Sequence, residues 1–275
     1  MLNSNQFDYF KSQALSGVSL LDARMSSFSY NRHSHQEYCL GATCRGEQHF
    51  SSSGETHRSY PGNVILFNPD EAHTGESGGD ENLTYSMLYI DPKPMQSFLQ
   101  SANMTGENDY RFMETIINNA RLHRQILELS ALVRRGDKDL SNQEAMLFDI
   151  ALTLAKNNLS SDAKLQKPDW RLKRIKDYVH ASIGEEISLD MLADIAGLSK
   201  YHFLRLFRDQ TGITPWQYII NCRVNHARLA IEKGGCLADI IFDCGFSDHS
   251  HFNRQFKSIY AITPKKWQQN YLSNK

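Results

Sequence analysis

The chain has 275 residues, long enough for two domains of ordinary size and too long for one small module. Hydrophobic residues at 40% and charged residues at 22% are the proportions of a globular chain and exclude a disordered, fibrous or membrane-embedded one. The net charge of -1 hides an asymmetry, because residues 1–167 hold 15 Lys+Arg against 20 Asp+Glu whereas residues 168–275 hold 15 against 11. The C-terminal part is the basic one, as a nucleic-acid binder's is, although many solvated surfaces carry as much.

The opening MLNSNQFDYFKSQ lacks a basic segment followed by an apolar one, and no run approaches the roughly 18 apolar residues of a membrane span, so a cytoplasmic location is expected. Five cysteines, Cys39, Cys44, Cys222, Cys236 and Cys244, are odd in number and form no CxxC pair; neither a disulfide framework nor a cysteine-rich zinc site is expected.

From Glu37 to Asp91 the chain reads as β. EYCLGATCRGEQHF, SSSGETHRSY, PGNVILFNPDEAHTG and LTYSMLYID are short apolar or alternating runs broken by Arg45-Gly46, Ser53-Gly54, Pro61-Gly62 and Asn68-Pro69, spacings that suit an antiparallel sandwich or barrel. In RHSHQEY, residues His33, His35 and Glu37 alternate, and as a strand they project from one face. His73 brings a further imidazole to the same mouth. Two histidines, a glutamate and a distant histidine are suitable ligands for Fe, Mn or Zn, and equally suitable as polar residues rimming a ligand pocket. With Tyr38 and Tyr85, the pocket candidates are His33, His35, Glu37, Tyr38, His73 and Tyr85; an interior packed solid by side chains is the alternative.

Past Pro94 the period changes. Phe112, Ile116, Ile117, Ala120, Ile126, Leu127, Leu129, Leu132 and Val133 recur mostly at helical spacing, with Arg134-Arg135-Gly136 as the stop, and a second helix is expected from about Asn142 to Asn157. The stretch NNLSSDAKLQKPDW is polar and serine-bearing, which predicts a domain at 1–158, a linker at 159–168 and a second domain at 169–275. That second domain reads as helix throughout: Trp170–Ser182, Leu189–Ala196, Lys200–Gln210, Pro215–Lys233, Leu237–Cys244, His249–Tyr260 and a last one from Pro264. Ser188, Ser199, Thr214-Pro215 and Thr263-Pro264 supply starts, and Gly234-Gly235 a stop.

Two stretches of this domain are copies of one pattern. GLSKYHFLRLFR (197–208) and GFSDHSHFNRQFK (245–257) each lead from glycine, an apolar residue and serine into a helix carrying Phe-x-x-x-Phe, Phe203/Phe207 or Phe252/Phe256. The paired phenylalanines face one way at i, i+4 and are core. Lys200, Tyr201, Leu204, Arg205 and Arg208 of the first copy and His249, Ser250, His251, Asn253, Arg254 and Lys257 of the second then face outward. Most are hydrogen-bonding or cationic types that reach base edges and phosphates. Each copy follows a short apolar helix, LDMLADIA or LADIIFDC. Helix, glycine turn and helix with a polar N-terminal outer face make a helix-turn-helix unit, here twice, at about 189–210 and 237–260. His249 and His251 diverge by roughly 200° around a helix, so one metal ion does not bridge them.

Residues 170–270 resemble the DNA-binding domain of AraC/XylS-type transcription regulators. The resemblance rests on LADIAGLSKYHFLRLFRDQTGITPWQYI, on the R-x-x-x-A-R-L-A of Arg223 to Ala230 and on IIFDCGFSDHSHFNRQFKSIYAITPKKW; Ile241 departs from it, standing where the family has a small residue. Residues 30–91, with HSHQEY followed by PGNVILFNPDEAH, resemble the cupin-like sensor barrel of the same family. The implied architecture is an α+β two-domain chain: an N-terminal cupin-like barrel with flanking helices, and an all-α C-terminal domain with two helix-turn-helix units. The resemblance places Tyr201, Leu204, Arg205, His249, Ser250, Asn253 and Arg254 at or near DNA bases, with Arg208 and Lys257 on phosphates. Leu204 offers only apolar contact with a thymine methyl. The two helices would enter successive major-groove faces roughly 34 Å apart.

The function implied is a DNA-binding regulator, an activator or a repressor, controlled by a small-molecule effector in the barrel. Its implied partners are double-stranded DNA, a second copy of the chain in a homodimer and RNA polymerase, with no cofactor and no membrane. One of the helices at 110–135 and 142–157 would form the dimer contact, core packing being the alternative. The competing reading is a metal-dependent cupin enzyme with an appended helical domain. A repair protein with a reactive cysteine is disfavoured, because the clustered N-terminal cysteines are absent.

Overall fold

The computed structural model describes residues 5–79, 81–102, 110–157, 159–160 and 169–272. By their contacts these fall into two units, Met1–Ser29 with His35–Asp162 and Tyr30–Ser34 with Ala163–Lys275. Of the expected linker, residues 161–168 lie outside the described residues, and Leu159–Ser160 (β12) form a short antiparallel ladder with Arg111–Phe112 (β10).

The β-rich half contains strands β1 (Gln6–Lys11), β2 (Val18–Met25), β3 (Ser29–His33), β4 (Tyr38–Arg45), β5 (Glu47–Ser52), β6 (Glu55–Ser59), β7 (Val64–Phe67), β8 (His73–Gly78), β9 (Leu83–Ile90) and β11 (Ile116–Ile117). They make a six-stranded sheet in the order β1-β2-β9-β4-β7-β11 and a four-stranded sheet in the order β3-β8-β5-β6. Helices α1 (Pro92–Ser101), α2 (Ala120–Arg134) and α3 (Leu140–Asn157) follow.

Register decides which side chains meet. Leu20, Leu88, Leu40 and Leu66 are paired in a row across β2, β9, β4 and β7, and all four are buried against Leu122, Ile126 and Leu129 of α2 and Leu147, Ile150 and Leu154 of α3. The next row along, Leu21, Met87, Gly41 and Ile65, points to the opposite face, because successive strand residues alternate. There Gly41 is filled by its neighbour: a Cβ on it would stand 2.7 Å from Met87 Cε.

Two expectations are corrected here and one reading is extended. RHSHQEY is not one strand: β3 ends at His33, β4 begins at Tyr38, and the residues between are turn, so strand alternation does not place His35 and Glu37. Phe112, Ile116 and Ile117 belong to strands rather than to a helix. Ile116 and Ile117 pair with Ile65 and Val64 as β11, and the helix starts only where the Asn119 side chain accepts from Leu122 N. Finally, β1, β2 and α1 extend the domain beyond the stretch whose β character was read. The apolar stripes of α2 and α3 are used within the chain, which favours core packing as their origin.

The other unit holds α4 (Trp170–Ala181), α5 (Leu189–Ala196), α6 (Lys200–Thr211), α7 (Pro215–Glu232), α8 (Leu237–Asp243), α9 (His249–Tyr260) and α10 (Pro264–Leu272). Local chemistry sets these bounds. Ser188 caps α5 by accepting from Met191 N, Asp248 caps α9 from His251 N, and Thr214 with Gln217 forms a reciprocal capping box on α7. Gly197 ends α5 at φ 64°, a left-handed conformation that glycine adopts without strain. Ile241, the departure from the family pattern, is buried in α8, its carbonyl accepting from Phe246 N. Among the described residues no helix is long and apolar enough to cross a membrane.

Candidate nucleic-acid interface and effector site

The two helix-turn-helix units are α5–α6 and α8–α9. Phe203 and Phe207 of α6 and Phe252 and Phe256 of α9 are fully buried, and a continuous aromatic cluster runs from Phe246 through Phe252 and Phe256 to Tyr260 and Trp267. With the phenylalanines inward, Lys200, Tyr201, Arg205, Arg208, His249, Ser250, Asn253, Arg254 and Lys257 are all exposed, and Leu204 is half-buried. Tyr201 is 86% exposed, an unusual position for a large aromatic side chain. His251 departs from the outward set: it is half-buried, its ring edge-on to Phe246 and within hydrogen-bonding distance of Gln255.

The cations differ in how they are held. Lys200 Nζ lies 2.6 Å from Asp190 of α5, and Arg205 pairs with Asp209 one turn on. Near Arg254 the Asp248 carboxyl is held below the usual carboxylate range, chiefly by the hydrogen bond from His251 N.

What positions the units is buried in α7. Arg223 donates from Nε to Ile183 O at 3.1 Å, from Nη2 to Glu185 O at 2.6 Å and from Nη1 to Gly245 O at 2.8 Å. The first two carbonyls follow the C-terminus of α4 and the third follows that of α8. One guanidinium fork therefore ties the turn before the first unit to the turn inside the second. Gly245 sits at φ 75°, and a Cβ there would come within 2.7 Å of Arg223 Cζ, so both its conformation and its lack of a side chain are required. Burial lowers the Arg223 pKa and pushes the neighbouring Cys244 thiol up to about 11.

In the barrel unit, His35 and His73 are both buried, with ring centroids 5.4 Å apart, whereas His33, also buried, belongs to the other compact unit. His73 stacks flat on Phe67 with centroids 3.8 Å apart, and His35 stands edge-on to Tyr89 at 5.0 Å. The loop leading to His73 is pinned: Glu71 accepts from Ser52 Oγ and from both nitrogens of Asn68, while Asp70 N donates to His35 O at 2.7 Å. Glu37 is buried as well. Tyr38 is a correction. It shares the helix-facing row with Val18 and Ile90, packs in the core and donates to Tyr110 O, whereas Tyr85, paired with Ala23 and Thr43, lies on the opposite face. Phe67 and Tyr89 were missed, although each sits an even number of residues from a partner already on the interior face.

The two halves match two known domain types. Residues 15–148 match the family described as AraC-like ligand binding domain, and residues 192–270 match a helix-turn-helix domain family. The chain belongs to the AraC family of transcription regulators. Relatives of this AraC-type chain include the uncharacterized HTH-type transcriptional regulator YbfI of Bacillus subtilis (strain 168), 27% identical over 223 residues covering 81% of each chain. The HTH-type transcriptional activator RhaS of Escherichia coli O81 (strain ED1a) is 26% identical, covering 89% of this chain and 90% of RhaS. Among solved structures, unsaturated fatty acid bound ToxT from Vibrio cholerae strain SCE256 shares the fold, with TM-score 0.61 and 14% identity over 96% of this chain and 95% of that one. ToxT from Vibrio cholerae O395 gives TM-score 0.60 at 16% identity, covering 98% of each. These relatives are regulators, and they lend the enzyme reading no support.

Proposed function

We propose that this AraC-type regulator reads double-stranded DNA in the cytoplasm with α6 and α9, without catalysing a reaction, and that a small molecule in the barrel governs its occupancy. The observation that carries the reading is the duplicated helix-turn-helix whose phenylalanines are buried while its polar and cationic positions are exposed. Tyr201, Arg205, His249, Ser250, Asn253 and Arg254 are the base-reading set, Leu204 the thymine-methyl contact, and Lys200, Arg208 and Lys257 the phosphate contacts. Effector control needs only a ligand with different affinity for two arrangements of the chain, a coupling of about 1–3 kcal/mol. His35, Glu37, His73 and Tyr85 are the residues proposed to meet that ligand. A homodimer is proposed through α3, where Phe148 and Leu152, at i, i+4, are only half-buried. Contact with RNA polymerase follows if the operator lies beside a promoter.

The test is selection of bound sequences from a random DNA pool with the full-length protein. An asymmetric site with two blocks about 10 base pairs apart is expected. On that site Arg254→Ala is expected to lose about 1–3 kcal/mol of discrimination at one base position and little on random DNA. Lys257→Ala should weaken all sequences alike and reduce the salt slope by about one. Equal weakening by both variants would make Arg254 a phosphate contact, and no enriched sequence would make the repeated helices structural.

A further inference from the structure

Two histidines of the second helix-turn-helix unit are met by phenylalanines that precede them in the chain. Phe242 lies near the end of α8 and Phe246 in the turn that follows. The Phe242 ring stands at 77° to that of His249 with centroids 5.9 Å apart, and the Phe246 ring at 68° to that of His251 at 5.6 Å. The second contact belongs to the core, since Phe246 is buried and His251 half-buried beside Gln255. The first lies at the surface: Phe242 is 56% exposed, whereas its neighbours Ile240 and Ile241 are buried and seat α8.

We propose that Phe242 is a specificity-determining positioning residue of the DNA interface, which holds the His249 imidazole in one orientation so that the second unit reads a base edge through a fixed ring. The proposal deepens the regulator reading by adding a residue to its interface, and it rests on that reading.

His249 has little else to fix it. It is the first residue of α9, it is exposed, and among the described residues its ring makes no hydrogen bond and no ion pair. The Phe242 ring is what limits its rotation, in the crossed arrangement that aromatic pairs favour at centroid distances of about 4.5–7 Å. A side chain free to rotate loses that freedom on binding, and one already set against a neighbour has less to lose. Orientation also decides chemistry. A neutral imidazole carries one donor and one acceptor on different edges of the ring, and the major groove presents a different order of donors and acceptors at each base pair.

The first unit treats the corresponding side chain in the same way by other means. Lys200 opens α6 as His249 opens α9, and its Nζ lies 2.6 Å from Asp190 of the preceding helix. With Gly197 and Gly245 aligned, Phe242 stands where the first unit has Asp194, and Phe246 where it has Leu198. Each unit therefore ties the opening side chain of its recognition helix back to the helix before it, one by charge and the other by a ring. Exposure alone would give Phe242 no role, since single apolar side chains are common at surfaces; its contact with His249 does.

The experiment uses full-length protein and the operator selected from random DNA, with each base pair substituted in turn. Phe242→Ala is expected to lower discrimination at the position read by His249 by about three- to tenfold, the effect of freeing one side chain. The other positions and the unfolding temperature should stay as in wild type, because the residue is exposed. Phe242→Tyr keeps the ring and should restore discrimination, whereas Phe242→Leu should not. In a His249→Ala background, Phe242→Ala should have no further effect at that position. Wild-type discrimination in Phe242→Ala, or a loss spread evenly over all positions, overturns the proposal. So does a loss of equal size with and without His249, which would mean that Phe242 touches DNA itself. If His249→Ala changes no position, the base-reading role of His249 falls and the proposal with it, while the selected operator keeps the regulator reading. If no operator is selected, the regulator reading falls and takes the proposal with it.

Discussion

Arg223→Met is expected to cost about 2–4 kcal/mol and to abolish selection for a fixed distance between the two DNA blocks. Methionine fills much of the volume but donates nothing, so the carbonyls of Ile183, Glu185 and Gly245 lose a shared partner in a buried setting. Arg223→Lys should fall between the two, since one ammonium keeps the charge but cannot reproduce a planar fork that reaches three carbonyls on two elements. The decisive measurement is binding to operators whose blocks are moved apart by one to three base pairs. Wild type should reject them, and Arg223→Met should bind all of them with similar, reduced affinity. A variant that is less stable yet keeps the native spacing preference would show that Arg223 supports the fold without setting the distance.

Phe252→Ala is expected to destabilise the second unit by about 3–5 kcal/mol while sparing the first. Phe252 is fully buried between Phe246 and Phe256, at centroid distances of 5.0 and 5.6 Å, and its truncation leaves a hole that a short α9 cannot close. Footprinting should then show one protected block where wild type protects two. Phe203→Ala should remove the other block. Loss of both blocks in either variant would mean that the units do not fold or dock separately.

The helical half was legible because its signals are local. Ser188, Gly197 and Asp248 act within one turn of where they stand: α5 begins and ends, and α9 begins, where those residues put them. The duplicated Phe-x-x-x-Phe likewise needs no distant partner to be recognised. The barrel was less legible because its strands are defined by residues far away in the chain. Phe112, Ile116 and Ile117 mimic helical spacing, and only the pairing of Phe112 with Leu159, and of Ile116 and Ile117 with Ile65 and Val64, makes them strands. Tyr38 and Tyr85 look alike in sequence; the register of β4 and β9 sends one to the helices and the other to the opposite face. The histidines were singled out for their chemistry, but their convergence depends on the loop from Asn68 to Ala72, whose hydrogen bonds no spacing rule reveals. The same loop explains why Glu71, absent from the expected set, fixes the position of His73.

The unequal pairing of the two recognition helices bears on how the protein responds to ionic strength. On α6, Lys200 and Arg205 already face Asp190 and Asp209, whereas among the described residues Arg254 and Lys257 of α9 are in no ion pair. Were Lys200 to meet a phosphate, as proposed, it would exchange one fixed anion for another. Part of the ion release that normally drives binding is then replaced by the repulsion of displaced carboxylates from the duplex. On the proposed interface the second unit offers Arg254 and Lys257 outside any ion pair among the described residues, so it is expected to carry the larger share of the salt dependence. Raising ionic strength is then expected to loosen α9 first and to leave α6 as the more persistent foothold, which would make the order of dissociation a property of the chain's own acidic residues.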